Sequence, residues 1–233
     1  ETDRPVIKAI IFDLDGTLID GAGDLHAAVN ALFAEDGVAP ITQRAVESFI
    51  GDGIGALVAR SYLHAGVAPE NLAERIEKFK LIYGAQGYPL TRLYPGVFVA
   101  LRELAGRYQL GLCTNKDQAH ARAILQKLGI AEFFSMLVGG DTLSVRKPDP
   151  RVLLSAAQGC GAGIDEIIYV GDSEVDAALS KAAGAVFFLF SEGHRAAPIE
   201  ALYHAASFSD YAELPALVRL AEDGNLPERA NQV

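Results

Sequence analysis

Val6-Ile7-Lys8-Ala9-Ile10-Ile11-Phe12-Asp13-Leu14-Asp15-Gly16-Thr17 is the stretch from which the fold can be read. Its first seven residues form a short apolar run rich in β-branched side chains. The run stops at an aspartate–glycine cluster, the pattern of a buried strand opening into a loop. Asp13 and Asp15 leave the strand's carboxyl end one residue apart, so both can face one crevice while Leu14 turns back into the core. Two carboxylates in one crevice repel each other, and a divalent cation relieves the repulsion. Magnesium, which favours oxygen ligands and retains several waters, suits the pair. One carboxylate can then attack phosphorus while the other serves the leaving oxygen. Gly16 permits close backbone approach to a phosphate, and Thr17 offers a hydroxyl at the loop exit. A turn whose aspartates merely cap a helix would read the same in isolation.

Downstream, residues 24–37 have helical period, with Asp24 as the expected N-cap and Gly37 just past the end. Helices are also expected at 42–49, 54–65 and 70–84. No strand-like run interrupts 20–90, which predicts an all-helical insertion. Strand and helix then alternate: helix 96–106, strand 109–113, helix 117–128, strand 134–138, helix 149–159, strand 167–170, helix 174–183 and strand 185–190. Such alternation predicts an α/β fold with a Rossmann-like, doubly wound parallel sheet covered on both faces. Residues 224–233 read as a polar, aperiodic tail, mobile or lightly docked.

The chain has 233 residues, half of them hydrophobic, enough for one large domain or a core with a smaller companion. Its formal net charge of −10 argues against a nucleic-acid partner, because that affinity depends on cations that displace counterions from a polyanion. Attraction for an anionic substrate must then be local, supplied by a metal and a few lysines or arginines. No apolar stretch is long enough for a membrane span. Cys113 and Cys160 are too few for a disulfide framework and lack zinc spacing, so both read as reduced core thiols of a mature cytoplasmic protein.

Three further polar clusters follow predicted strands, where ligands of open α/β sheets collect. Thr114-Asn115 puts a hydroxyl and a helix start near an anion, although a threonine N-cap explains it equally well. Lys147-Pro148-Asp149-Pro150 sets a cation before a proline-started helix. Gly171-Asp172-Ser173-Glu174-Val175-Asp176 follows a strongly apolar strand, with aspartates four apart on one face of a helix start.

In this order and at these strand ends, the four motifs resemble those of the haloacid dehalogenase superfamily of hydrolases. The resemblance spans nearly the whole chain and implies a catalytic core at 1–19 and 95–233, with a helical cap at 20–94 inserted after the first motif and hinged near 20–23 and 91–96. It implies that Asp13 is the nucleophile that becomes phosphorylated and that Asp15 is the general acid and base. It also implies that Thr114 and Lys147 hold phosphate oxygens, Lys147 steadying the nucleophile as well. Mg2+ would be held by the Asp13 carboxylate, the Asp15 backbone carbonyl and Asp172, with Asp176 orienting metal waters.

Within the superfamily, Asp15 favours phosphate esters over dehalogenation, and a cap segment 49–60 without lysine disfavours phosphonate cleavage. A sugar-phosphate mutase or broad sugar phosphatase is the alternative, and a non-catalytic binding module would be expected to lose Asp13 or Asp172. Gly51-Asp52-Gly53 and Gly139-Gly140-Asp141-Thr142-Leu143 resemble the phosphoglycolate phosphatase branch. The resemblance implies a magnesium-dependent phosphatase acting through an aspartyl phosphate on phosphoglycolate or a similar small ester, as a monomer or homodimer. Gly51, Asp52 and Gly53, whose amides could bind a small acid, together with Gly16 and Asn115, are the expected substrate and phosphate contacts.

Overall fold

The computed structural model of the chain describes residues 6–226. Strand β1 (Ala9–Phe12) is followed by β2 (Ile19–Asp20) and by four helices, α1 (Ala22–Glu35), α2 (Gln43–Glu47), α3 (Ile54–His64) and α4 (Leu72–Ala85). The chain returns through β3 (Arg92–Leu93) and then alternates: α5 (Val97–Ala105), β4 (Gln109–Cys113), α6 (Gln118–Lys127), β5 (Phe134–Val138), α7 (Pro150–Gly159), β6 (Ile167–Gly171), α8 (Glu174–Ala183) and β7 (Val186–Phe190). It closes with β8 (Ala206–Phe208) and α9 (Leu214–Glu222).

Six strands form one sheet in the order β5-β4-β1-β6-β7-β8, and every neighbouring pair is parallel. The period of two divides each strand between two apolar layers. Ile10, Phe12, Leu110, Leu112, Ile168 and Val170 pack on one face with Leu101, Leu104, Ile124 and Leu125. Ala9, Ile11, Cys113, Ile167 and Tyr169 pack on the other with Val152, Leu153, Ala156 and Leu179. The expected doubly wound sheet is therefore present. Because the chain runs outward from β1 first through β4 and β5, then through β6 to β8, the strand order switches direction beside β1. That is where a parallel sheet opens a crevice.

The helical insertion is more closely tied to the sheet than its sequence suggested. β2 and β3 pair antiparallel, with Ile19 opposite Leu93 and Asp20 opposite Arg92. The two connecting segments are thus a short ribbon, a pairing that the reading of 20–90 had no means to detect. Apolar packing runs without a break from Leu25, Leu32, Val58 and Tyr62 in the insertion to Ile10 and Phe12 in the sheet.

Asp24 is not the N-cap of α1, a position held by Gly21. It lies inside the first turn, almost wholly buried, and accepts hydrogen bonds from the Leu90 amide, the Thr91 amide at 2.7 Å and the Thr91 hydroxyl at 2.6 Å. An acidic group in a first helical turn also meets the positive end of the helix dipole. Among the described residues no helix is long and apolar enough to cross a membrane. Of the expected tail, 227–233 lie outside the described residues, while Leu226 packs against the core.

Replacing Asp24 by alanine strands two amides and a hydroxyl in the interior. Asp24→Ala is expected to cost on the order of 3 kcal/mol in urea denaturation, and a loss below about 1 kcal/mol would count against this tether.

Candidate active site

Asp13 leaves the end of β1 with its amide bonded to the Val170 carbonyl, so the backbones of β1 and β6 together set its position. Lys147 comes from the loop between β5 and α7 and is just as deeply buried. Its ammonium has three donors, and all three are engaged. One goes to Asp13 Oδ1 at 2.9 Å, one to Asp176 Oδ1 at 2.7 Å and one to the Tyr169 hydroxyl at 3.1 Å. Tyr169 donates in turn to Asp176 Oδ1. Both oxygens of Asp176 are occupied, because Oδ2 accepts from the Asp172 and Ser173 amides and the Ser173 hydroxyl.

Asp172 precedes α8, whose N-cap is Ser173, so the two aspartates do not share a helix face. Their carboxylates converge because Asp176, third in the helix, folds back over the cap. Asp172 is held by the Thr17 hydroxyl at 2.8 Å on one oxygen and the His194 amide at 2.6 Å on the other. Two glycines make room for it. A Cβ on Gly16 would lie 2.4 Å from Asp172 Oδ2, and one on Gly193 would lie 2.2 Å from the Gly16 carbonyl and 2.4 Å from Asp172. Gly16 was expected to approach a phosphate, but its amide is bonded to the Ile19 carbonyl and its missing side chain admits Asp172.

On the other side of Asp13 lies a second, separate ion pair. Asp15 Oδ2 faces Lys116 Nζ at 3.1 Å, and Asp15 Oδ1 is buried without a protein partner. Lys116 also donates to the Tyr83 hydroxyl of α4 at 2.9 Å and lies over that ring. Asp13, Asp15, Thr114, Asn115 and Lys116 line one pocket, closed from the insertion by Leu25, Ile50, Gly51, Gly53, Ile54 and Leu57.

Three sequence expectations change. Thr114 does not cap α6, which begins beyond Asp117; its hydroxyl accepts from the Lys116 amide. The Asn115 side chain is committed to backbone, donating to the Gly51 and Lys147 carbonyls and accepting from the Lys147 amide, so it ties three loops together rather than reaching for phosphate. Asp52 points away from the pocket and pairs with Arg60 at 2.5 Å. Gly51 and Gly53 do reach the pocket, with φ of 123° and 87°, a region costly for other residues.

The charges do not balance within the protein. Asp15 and Lys116 offset one another, whereas Asp13, Asp172 and Asp176 share the single ammonium of Lys147. One carboxylate oxygen from each of the three lies within 4.8 Å of the others. Burial and the neighbouring negative charges raise the Asp13 carboxyl to about 7 against the pull of Lys147, and raise Asp172 well above the usual range. Burial acts on Asp176 in the same sense, but Lys147, Ser173 and Tyr169 outweigh it and hold that group low. Two uncompensated negative charges on hard oxygen donors fit a divalent cation such as Mg2+. Asp13 and Asp172 have the capacity to bind one. Asp176, its oxygens taken, is left to orient, and Asp15, its side chain on Lys116, has only its backbone carbonyl to offer.

A doubly wound parallel sheet that gathers buried carboxylates around one lysine at its switch point is the framework of a Rossmann-like enzyme that works with acidic side chains. The chain belongs to the haloacid dehalogenase-like hydrolases, whose family profile matches residues 10–190. It is 45% identical over 216 residues to a phosphoglycolate phosphatase of Cereibacter sphaeroides, covering 91% of this chain and 98% of that one. It is 40% identical to a phosphoglycolate phosphatase of Rhodospirillum rubrum, covering 89% of each chain. Among solved structures it is similar to a predicted phosphoglycolate phosphatase of Haemophilus somnus, with a TM-score of 0.86 and 29% identity over 91% of this chain and 98% of that one.

The proton on Asp13 makes a measurable difference to stability. Its carboxyl rises from 3.8 to about 7 on folding, so the native state takes up a proton between about pH 4 and 7. Stability must therefore fall as pH rises through that window. Asp172 acts in the same direction, whereas the window of Asp176 lies below it. In EDTA the unfolding free energy is expected to drop by about 2 kcal/mol between pH 5 and 7, and millimolar Mg2+ to remove most of the drop. A flat profile in EDTA would contradict the charge imbalance.

Proposed function

We propose that the chain is a magnesium-dependent phosphomonoesterase whose nucleophile is Asp13 and whose substrate is phosphoglycolate or a similarly short phosphorylated acid. The observation that carries this reading is the buried Asp13, held by Lys147 and flanked by an acidic cluster with two surplus charges, in the same pocket as Asp15. Relatives named phosphoglycolate phosphatase, matched over nearly their full length, support the substrate.

The reaction follows from these positions. An Asp13 oxygen attacks the phosphorus in line, the bond to the ester oxygen breaks, and Asp15, protonated once the substrate is bound, gives that proton to the departing alkoxide. Water then attacks the aspartyl phosphate, Asp15 takes the water's proton, and inorganic phosphate leaves with Asp13 restored. Lys147 neutralises charge on the nucleophile and on the phosphoryl oxygens, and the Thr114 hydroxyl is in reach of the same group. Bound at Asp13, the Asp15 carbonyl and Asp172, Mg2+ would supply the charge neutralisation and in-line alignment on which phosphoryl transfer depends. Asp176 and the Thr17 hydroxyl hold that geometry.

Residues 20–94 act as a cap over a core made of 1–19 and 95–233. Closure brings the apolar wall of Leu25, Ile50, Ile54 and Leu57 over the pocket and excludes bulk water. Buried, unpaired Cys113 and Cys160 suit a cytoplasmic enzyme, and the acidic surface suits a small-molecule substrate rather than a nucleic acid. A monomer or a homodimer accommodates this chemistry equally.

Hydrolysis of phosphoglycolate with Mg2+ and with excess EDTA tests the proposal, and turnover is expected only with the metal. Asp13→Asn should abolish turnover by at least about 10³-fold, and Asp15→Asn should lower kcat by about 10²- to 10⁴-fold. Full activity in Asp13→Asn would end the nucleophile assignment. Isomerisation of a sugar phosphate without phosphate release would point to a mutase.

A further inference from the structure

The two buried lysines of the site differ in one respect that bears on specificity. Lys147 has spent all three donors on Asp13, Asp176 and Tyr169. Lys116 is buried to the same degree but has only two partners among the described residues, Asp15 at 3.1 Å and the Tyr83 hydroxyl at 2.9 Å. An ammonium carries three donors, so one remains, and Lys116 lines the pocket that also holds Asp13 and Asp15. The opposite wall of that pocket has aliphatic side chains, Leu25, Ile50, Ile54 and Leu57, and beside them only the backbone of Gly51 and Gly53, so it offers a charged substituent no ion partner.

We propose that Lys116 is the cation that recognises the carboxylate of the substrate. The proposal rests on the phosphomonoesterase reading, which puts the phosphoryl group on Asp13 and the ester oxygen at Asp15. In a phosphorylated α-hydroxy acid, the carboxylate lies one carbon beyond that oxygen. The next group along the pocket from Asp15 is its partner, the Lys116 ammonium. A carboxylate arriving there takes the open donor and forms a charge-assisted hydrogen bond in a site without bulk water. A neutral hydroxyl there accepts from the same donor but brings no opposite charge, and the neutral hydrogen bond is about half as strong. Tyr83 acts one step back as a positioning residue, because its hydroxyl on α4 and its ring hold the ammonium in place. The chemical class selected is the short phosphorylated acid, discriminated from the neutral alcohol phosphate of the same length.

Steady-state hydrolysis of 2-phosphoglycolate and of 2-hydroxyethyl phosphate with Mg2+ compares a carboxylate with a hydroxymethyl group at one position. The wild-type protein is expected to favour the acid strongly in kcat/KM, and Lys116→Met to reduce that preference by about 30-fold or more. Lys116→Arg should keep most of the preference, and Tyr83→Phe should raise KM for the acid more than it lowers kcat. A preference unchanged in Lys116→Met overturns the proposal. Removing a buried cation endangers folding, so the wild-type protein provides a second arm through inhibition of p-nitrophenyl phosphate hydrolysis. There 3-phosphonopropionate is expected to bind at least about 10-fold more tightly than propylphosphonate, and equal inhibition overturns the proposal. Failure to hydrolyse any phosphomonoester, the aryl ester included, would instead remove the enzymatic reading on which it rests.

Discussion

The ammonium of Lys147, with every donor engaged on Asp13, Asp176 and Tyr169, is the interaction around which the site is built. Placing a lysine and three carboxylates at the end of a parallel sheet removes them all from water, and such a group stands only if each charge is met. Lys147 meets one. Burial works against its charged form, but Asp13 and Asp176 hold it protonated far above neutrality. Withdrawing one member of a buried pair of this kind costs about 3–5 kcal/mol, because the partner is left unmatched. The loops from β1, from β5 and from β6 are therefore bound to one another through a single nitrogen atom. Asn115 repeats the linkage on the backbone, joining its own loop to the Lys147 carbonyl and amide.

Convergence of this kind requires the backbones to come closer than side chains ordinarily permit. Gly16, Gly193 and Gly140 allow it. Their absent Cβ atoms would overlap Asp172, the Gly16 carbonyl and the Asn115 carbonyl respectively, at 2.2 to 2.4 Å. The Gly139-Gly140 pair that marks the end of β5 in the sequence is thus a packing requirement against the loop after β4. Asp172 shows the result, since a carboxylate fixed by Thr17 on one oxygen and the His194 amide on the other has little freedom left to lose on binding a cation.

The sheet was legible because its strands are apolar runs bounded by polar clusters, and the expected runs at 109–113 and 134–138 coincide with β4 and β5. β8 has three residues, too few to display a period, and β2 and β3 have two each. α9 carries a readable stripe at Leu214, Leu217 and Val218, and could have been found. In the site, Asp13, Asp15, Thr114, Lys147, Asp172 and Asp176 were legible because each follows a strand. Tyr169 and Tyr83 were not, since an aromatic residue in an apolar strand or on a helical stripe reads as core. Lys116 was hidden by position, as a lysine three residues past a strand is ordinarily solvated. Gly193 and His194 give no local signal, because the atoms they accommodate and bind belong to Gly16 and Asp172.

The bond from Tyr83 to Lys116 joins a helix of the insertion to the loop after β4. Replacing Lys116 takes from the buried Tyr83 hydroxyl its cationic partner, and replacing Tyr83 leaves Lys116 with Asp15 alone among the described residues. Insertions exchanged between members of the family would carry this dependence with them. A graft that brings a foreign α4 onto this sheet inherits a lysine selected for a hydroxyl it no longer meets. Redesign of this pocket therefore has to treat positions 83 and 116 as one unit, split between the insertion and the sheet.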